Sequence, residues 1–542
     1  MAKAAAKVRA ASLFARPNAV RSSTGAIRRR IPRGLLAVCI GAEILIVAPV
    51  LVTIDQAISG GWHAALRDLT RAAIPTLLLH TLVVAAIVTP LCGVIGLAGA
   101  WAVERTRLAG RRIWMVLLVA PITVPAFVTS YAWVSVSSSM QGLAGAVAVT
   151  TFTYYPLVFL ISSAALRGLD PALEESARSL GSRPWTVFRR VALPQLRPAL
   201  LGGMLLVALD ALVEFDAFAA LKFQTFSTDV YSQYQSSFSV SSAAVLSMLS
   251  LGLCLLLLGG EAFLRGGASY TRVSMGARRP PSLYPLGRTA PLVHGGLGLL
   301  ATAAVGVPVG ILVYWFTQAS SSALAAAAAG MGYLLPAAVT SIGLGIGGAV
   351  LALLLALPIA YAITRYRGRW IGAIERGSYL SYALPDLVGA IALGYAALHW
   401  VRPLYESLAL LVVAYAILFV PLAVVALRTT LSQIEPRMDE CARSLGAGTF
   451  ATAWRVTLPV ARPGLAAAGV LVFAFVLGDL STTQVLLPPG MYTLGTQFWT
   501  NSSTVAFAAA APYAAVLMTL ALGCTFLLMG KFGRIRALAA PR

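Results

Sequence analysis

LDPALEESARSLGSRPWTVFRRVALPQLRPAL, residues 169–200, returns at an offset of 265 as IEPRMDECARSLGAGTFATAWRVTLPVARPGL, residues 434–465. The two stretches align without a gap. Identities include Pro171/Pro436, Glu175/Glu440, Ala177/Ala442, Arg178/Arg443, Gly181/Gly446, Pro194/Pro459 and Pro198/Pro463. Upstream the offset becomes 260, pairing Ala100 with Ala360, Arg105 with Arg365 and Pro125 with Pro385, so the copies differ by a short insertion. Self-similarity on this scale makes the chain two copies of one structural unit.

Working outward, both copies lie in strongly apolar surroundings. The 542 residues are 58% hydrophobic and 11% charged, with a mean hydropathy of +0.82, whereas soluble domains carry about 25% charged residues. This is the composition of an all-α integral membrane protein. Twelve stretches are long enough to cross a bilayer, which takes about 20 mostly apolar residues. They are 34–54, 76–102, 113–136, 142–165, 199–221 and 241–264, then 291–316, 337–363, 374–399, 406–427, 464–487 and 505–529. Six spans separate matched points, so the expectation is about 12 transmembrane helices in two parallel six-helix repeats. The domains are then a basic tail (1–33), a first half (34–265), a Pro/Arg-rich linker (266–290) and a second half (291–542).

The net charge of +22 would suggest nucleic acid in a soluble protein, but the basic residues sit in short breaks between apolar runs. They act there as topology signals, and nucleic-acid binding is excluded. The stretch 1–33 is basic without one acid, which marks a cytoplasmic tail rather than a cleavable signal peptide. Alternating from there, all but four of the 41 Lys and Arg residues (Arg67, Arg71, Lys222 and Arg402) fall inside. Both termini are therefore expected in the cytoplasm of a bacterial cell, with the protein multi-pass in its plasma membrane. The cysteines read as small buried hydrophobes, apart from Cys441 in a basic loop. The four histidines lack metal-ligand spacing.

Each repeated segment falls on the cytoplasmic side between its half's fourth and fifth spans and is too polar for lipid. Acids after Pro171 suit a helix start, and Gly181 and Gly446 suit a helix stop. A second short helix is expected to run to Pro194 or Pro459. The pattern reads Glu175-Ser176-Ala177, Gly181, Val191, Leu193-Pro194, and again Glu440-Cys441-Ala442, Gly446, Val456, Leu458-Pro459. It resembles the EAA loop of the integral membrane permeases of ABC importers, with small residues, Ser176 and Cys441, at the second position. The resemblance implies that Glu175, Ala177, Gly181, Pro194, Glu440, Ala442, Gly446 and Pro459 belong to two coupling loops, each docked on one of two copies of a cytoplasmic ATPase. It also implies a periplasmic or lipoprotein solute-binding protein on the outer side and lipid around the spans. No G-x-x-x-x-G-K-[ST] occurs, so this chain needs no cofactor of its own and is not an enzyme; ATP and Mg would be bound by the partner ATPase.

Ionisable groups inside spans are costly and default to functional candidates. Glu214 and Asp479 match at the 265 offset, at the same distance beyond the repeat prolines Pro194 and Pro459, which would place both near the axis relating the halves. Asp210, one turn before Glu214, and Asp386, after Pro385, are further candidates for the path; for these two and Asp216, structural hydrogen bonding is the simpler reading. The flanking segments LVEFDAFAALKFQTFSTDVY (212–231) and VLGDLSTTQVLLPPGMYTLGTQFW (476–499) are similar to fused permeases of the ferric-iron importer group. That likeness implies Fe(III) as cargo, and a hard cation prefers oxygen ligands. Alternatives are import of thiamine, a phosphonate or another small solute, or a proton-coupled secondary transporter.

Overall fold

A computed structural model of the chain describes residues 31–538, apart from 170, 238–239, 266–282, 318–320, 367, 381–383, 433, 435 and 505. Most of the basic tail and of the linker thus lies outside the described residues. Every regular element among the described residues is helical. Among them, ten helices are long and apolar enough to cross a membrane. An eleventh expected span is a bent pair, Arg111–Ile122 and Ala126–Val136, meeting at 94°. The expected span 374–399 divides into Arg369–Leu380 and Asp386–Trp400. The breaks fall at Pro125 and Pro385, a matched pair. Proline has no N–H to donate and holds the residue before it out of the helical region, so each copy bends at the same place.

The two spans that follow the repeated segments also differ from expectation. They begin early, as Trp185–Val213 and Thr449–Gly478, because the helix runs on through Pro194 and Pro459 instead of stopping. A π-turn precedes each proline, Phe188–Ala192 and Ala453–Thr457. The wider turn makes room for a ring that would otherwise meet the carbonyl four residues back. Both helices then end abruptly at Glu214 (ψ 121°) and Asp479 (ψ 113°).

Each repeated segment folds as an elbow. The short helices Pro171–Ser179 and Pro436–Ser444 stop at Gly181 (φ +80°) and Gly446 (φ +86°). The Gly181 N–H donates to Arg178 O (2.8 Å) and the Ser182 N–H to Ala177 O (3.1 Å); Gly446 to Arg443 O (2.9 Å) and Ala447 to Ala442 O (3.1 Å) repeat the pair. A side chain would fit the open space at either glycine, so left-handed backbone, not crowding, selects glycine here.

A buried ion pair ties each elbow to the end of its half's second span. Arg105 Nη2 lies 2.9 Å from Glu174 Oε1, the side chains 1% and 4% exposed. Arg365 Nε lies 2.8 Å from Asp439 Oδ2, and Asp439 also accepts at Oδ1 from the Thr457 hydroxyl (2.8 Å). Glu174 and Asp439 are equivalent at the 265 offset, as Arg105 and Arg365 are at 260. Burial raises the Glu174 carboxyl above the usual carboxylate range, against the opposing pull of Arg105. A buried ion pair gains little over a well-packed apolar contact, so its role here is to fix position. In the second elbow Arg443 donates to the Tyr361 hydroxyl (3.4 Å). In the first, Arg178 instead lies 4.1 Å over the ring of Tyr284, a linker residue whose backbone pairs with Arg105 O (2.8 Å) and Arg107 N (2.9 Å).

The halves are interlocked. Cys39, Ala42 and Ile46 of the first helix, Arg33–Ser59, pack in the core of the second half, while Leu297 and Ala304 of the second half's first span pack in the core of the first. Within the first half, Gly96 lets two spans close up: an added methyl would meet the Val158 Cβ at 2.7 Å and the Phe159 N at 2.8 Å.

Removing one partner of the elbow ion pair strands the other charge. Glu174→Ala is expected to cost about 3–5 kcal/mol, and the double change Arg105→Met/Glu174→Leu to recover most of it. Thermal unfolding of the purified protein in detergent checks this; equal losses in the single and double variants would contradict it.

Candidate functional site

The helix breaks after Val213 and Gly478 face each other across the boundary between the halves, beside a cavity with about 140 Å³ of open space. Its lining includes Asp210, Glu214, Asp216, Asp386 and Asp479, and, among the described residues, no lysine, arginine or histidine. The wall is built from matched positions: Glu214 with Asp479, Asp216 with Ser481, Asp210 with Phe475, Tyr154 with Phe419, and Ala126 with Asp386. The acids are thus unequally shared between equivalent surfaces, and they stand in an otherwise largely apolar lining.

The local fold explains how each acid is held. Where the helix stops, Glu214 turns back, its Oε1 accepting from the Ala217 N–H (2.8 Å) and its Oε2 from the Tyr154 hydroxyl. The Ser227 hydroxyl donates to the Glu214 carbonyl (2.5 Å). Asp479 Oδ1 accepts from the Thr482 N–H (3.3 Å). Asp216, which opens the short helix Asp216–Ala220, reaches into the other half: its Oδ1 accepts from the Ser481 hydroxyl (2.7 Å) and its Oδ2 from the Leu480 N–H (3.2 Å). Among the described residues no group of three His, Cys, Asp or Glu side chains is arranged to hold a metal ion. The carboxylates are spread around a wall and form no closed cage.

All four path candidates from the sequence, Glu214, Asp479, Asp210 and Asp386, line this one cavity. Sequence reasoning sets Asp216 aside, and its side chain bridges the halves. The signal available is its register: position 216 matches 481, just beyond the Glu214/Asp479 pair. Tyr154 gives no signal, because its counterpart is Phe419 and it lies far away in the sequence.

The elbows form a second, separate surface. Glu175 and Glu440 are exposed, Ala177 and Ala442 half-buried, Pro194 exposed and Pro459 half-buried. Large apolar side chains stand out beside them: Leu180 (86% exposed) and Trp185 (67%) on the first elbow, and their equivalents Leu445 (88%) and Phe450 (80%) on the second. Cys441 is exposed, while Cys39, Cys92, Cys254 and Cys524 are buried.

Sequence relatives of known class identify the family. The family model for the inner membrane component of binding-protein-dependent transport systems matches twice, at residues 94–263 and 348–533. The chain is 34% identical over 486 residues to the Fe(3+)-transport system permease protein FbpB 2 of Haemophilus influenzae, covering 89% of this chain and 95% of that one. It is 27% identical over 235 residues to the sulfate transport system permease protein CysW of Synechocystis (38% of this chain, 84% of the relative). It is 30% identical over 227 residues to a probable molybdenum ABC transporter permease of Haloferax volcanii (41% and 82%). The shorter relatives thus cover less than half of this chain, whereas the iron relative runs through both halves. The chain belongs to the family of binding-protein-dependent transport system inner membrane components, the multi-pass permeases of ABC importers, with the family's domain present twice in one polypeptide.

Proposed function

We propose that this chain is the fused permease of an ABC importer whose cargo is a hard cation, Fe(III), delivered by a binding protein. The observation that carries the reading is the carboxylate-lined cavity between the halves, which has no basic side chain among the described residues. A sulfate or molybdate ion there would meet carboxyl oxygens and, among the described residues, no basic side chain to offset its charge in a medium that screens poorly. A trivalent cation meets oxygen ligands of the kind it prefers. The iron relative, which extends through both halves, supports the same choice over the sulfate and molybdenum relatives.

Each elbow docks on one ATPase subunit in the cytoplasm, giving two per chain. Leu180, Trp185, Leu445 and Phe450 are the anchors, because large exposed apolar groups in a polar loop are what a partner's cleft would bury. Glu175 and Glu440, exposed beside them, are the charged contacts through which the ATPase's movement is passed to the elbow. ATP with Mg is bound and hydrolysed by those subunits, and this chain performs no covalent chemistry. The ends of the spans opposite the elbows meet the binding protein, and both chain termini are cytoplasmic. Closure of the ATPase dimer draws the elbows together, and the spans rock so that the cavity faces first outside, then inside.

The test is uptake into proteoliposomes holding this chain, its co-purified ATPase and its binding protein. ATP-dependent entry of labelled Fe(III), with no entry of sulfate or molybdate, is the expected result. Uptake driven by a proton gradient without ATPase would overturn it. Trp185→Ala with Phe450→Ala is expected to weaken ATPase association by about 2 kcal/mol or more per anchor, measured by co-purification and titration. Glu175→Ala with Glu440→Ala should abolish ATP-driven uptake. Glu214→Gln with Asp479→Asn should lower Fe(III) uptake at limiting cargo roughly tenfold, the equivalent of about 1.4 kcal/mol, with ATPase association unchanged.

A further inference from the structure

Asp216 and Ser481 occupy the same position in the two repeats, and they touch each other. Two equivalent residues related by a two-fold axis can meet only on that axis. Their contact, 2.7 Å from the Ser481 hydroxyl to Asp216 Oδ1, therefore marks where the axis passes. Both residues are buried, 8% and 6% exposed, and both line the acidic cavity.

The bonding separates Asp216 from its neighbours. Glu214 and Asp479 take their backbone hydrogen bonds from their own half, from Ala217 and Thr482 respectively. Asp216 takes both of these bonds from the other half, capping the helix Ser481–Leu486 through the Leu480 N–H (3.2 Å) as well as the serine. A second bond ties the same helix to the first half, from the Tyr231 hydroxyl to Gln484 Oε1 (2.9 Å). Any passage along the axis requires the halves to part here, which pulls the Asp216 carboxylate away from both donors. A buried carboxylate that loses its partners is costly until another positive or donating group replaces them. The cavity lining offers no lysine, arginine or histidine among the described residues to do so.

We propose that Asp216 is a latch that holds the axis shut in this conformation and that a cationic cargo releases it by taking the place of Ser481 and Leu480 as the carboxylate's partner. The latch couples opening to the charge of the cargo, so that cargo-free parting of the halves is disfavoured. The closing role stands on the contact itself; the releasing role rests on the cation reading of the cavity.

The two parts are tested in the full complex of permease, ATPase and binding protein in proteoliposomes. In a chain carrying Cys441→Ala, to remove the exposed native thiol, Asp216→Cys with Ser481→Cys places two thiols across the axis. Oxidation is expected to stop uptake, and reduction to restore what the same protein transports without the bond. Equal uptake in the oxidised and reduced forms, with the cross-link verified by mass spectrometry, would overturn the latch. For release, Ser481→Ala should raise cargo-free ATPase activity several-fold, and Asp216→Asn should raise the Fe(III) concentration for half-maximal uptake about tenfold and blunt the stimulation of ATPase by loaded binding protein. Wild-type cargo dependence in Asp216→Asn would overturn release by charge. Wild-type protein that carries sulfate and not Fe(III), while the cross-link still blocks it, would sink the cation reading and the release with it and leave the closing contact standing.

Discussion

A helix that breaks inside a bilayer frees backbone N–H groups that no water is there to satisfy. In this chain the two spans that follow the elbows break at matched positions, and carboxylates take up the freed donors. Ala217 N–H goes to Glu214, Thr482 N–H to Asp479 and Leu480 N–H to Asp216. The acids are thus a condition of the breaks, and the breaks put the acids where the halves meet. An apolar residue at any of the three would leave a buried donor unmet, at a cost of about 1–3 kcal/mol. The same atoms that complete the backbone's hydrogen bonding give the cavity its charge.

The repeat supplies a symmetric frame, and function enters where the symmetry fails. Asp216 faces Ser481 rather than another acid, which turns what would be a repulsive pair on the axis into a charge-assisted hydrogen bond. Asp210 stands opposite Phe475, and Asp386 opposite Ala126, so each half contributes acid where its counterpart is apolar. A single polypeptide allows this division of labour, since a homodimer would have to place identical residues on both sides of its axis. The linker shows the same divergence: Tyr284 supplies the first elbow with the aromatic partner that Tyr361 provides for the second from within its own span.

The sequence makes the architecture plain and the site only in part. Span-length apolar runs, the placement of Arg and Lys and the constant offset between the copies identify a duplicated membrane protein, because hydropathy and repetition are local signals. The matched Glu214 and Asp479 can be placed near an axis on register alone. Which buried acid bonds to which half cannot be read, since the Asp216–Ser481 contact depends on two broken helices meeting from opposite halves of the chain. The elbow ion pairs are half visible: Arg105/Arg365 and Glu174/Asp439 each repeat, but that they pair is set by how the elbow helix folds back on the preceding span. The limits of the fifth span in each half also differ from expectation, because proline often ends a helix, whereas here the helix passes Pro194 and Pro459 behind a π-turn and runs on through Pro198 and Pro463.

That continuation links the two surfaces. Leu193–Val213 is 21 residues long and Leu458–Gly478 equally so, roughly 30 Å of unbroken helix at about 1.5 Å per residue. One end of each leaves the elbow through a π-turn; the other ends at Glu214 or Asp479. The elbow cannot slide freely against its half, because Arg105 and Arg365 hold Glu174 and Asp439 in place. A displacement imposed on an elbow is therefore carried by a stiff rod and a fixed pivot to the edge of the cavity. The bonds at that edge that join the halves include Asp216 to Ser481 and Tyr231 to Gln484. The costly buried ion pairs make sense in this light: a well-packed apolar contact would hold the elbow as firmly, but the paired charges with their directed hydrogen bonds also fix its angle, on which the direction of the rod depends.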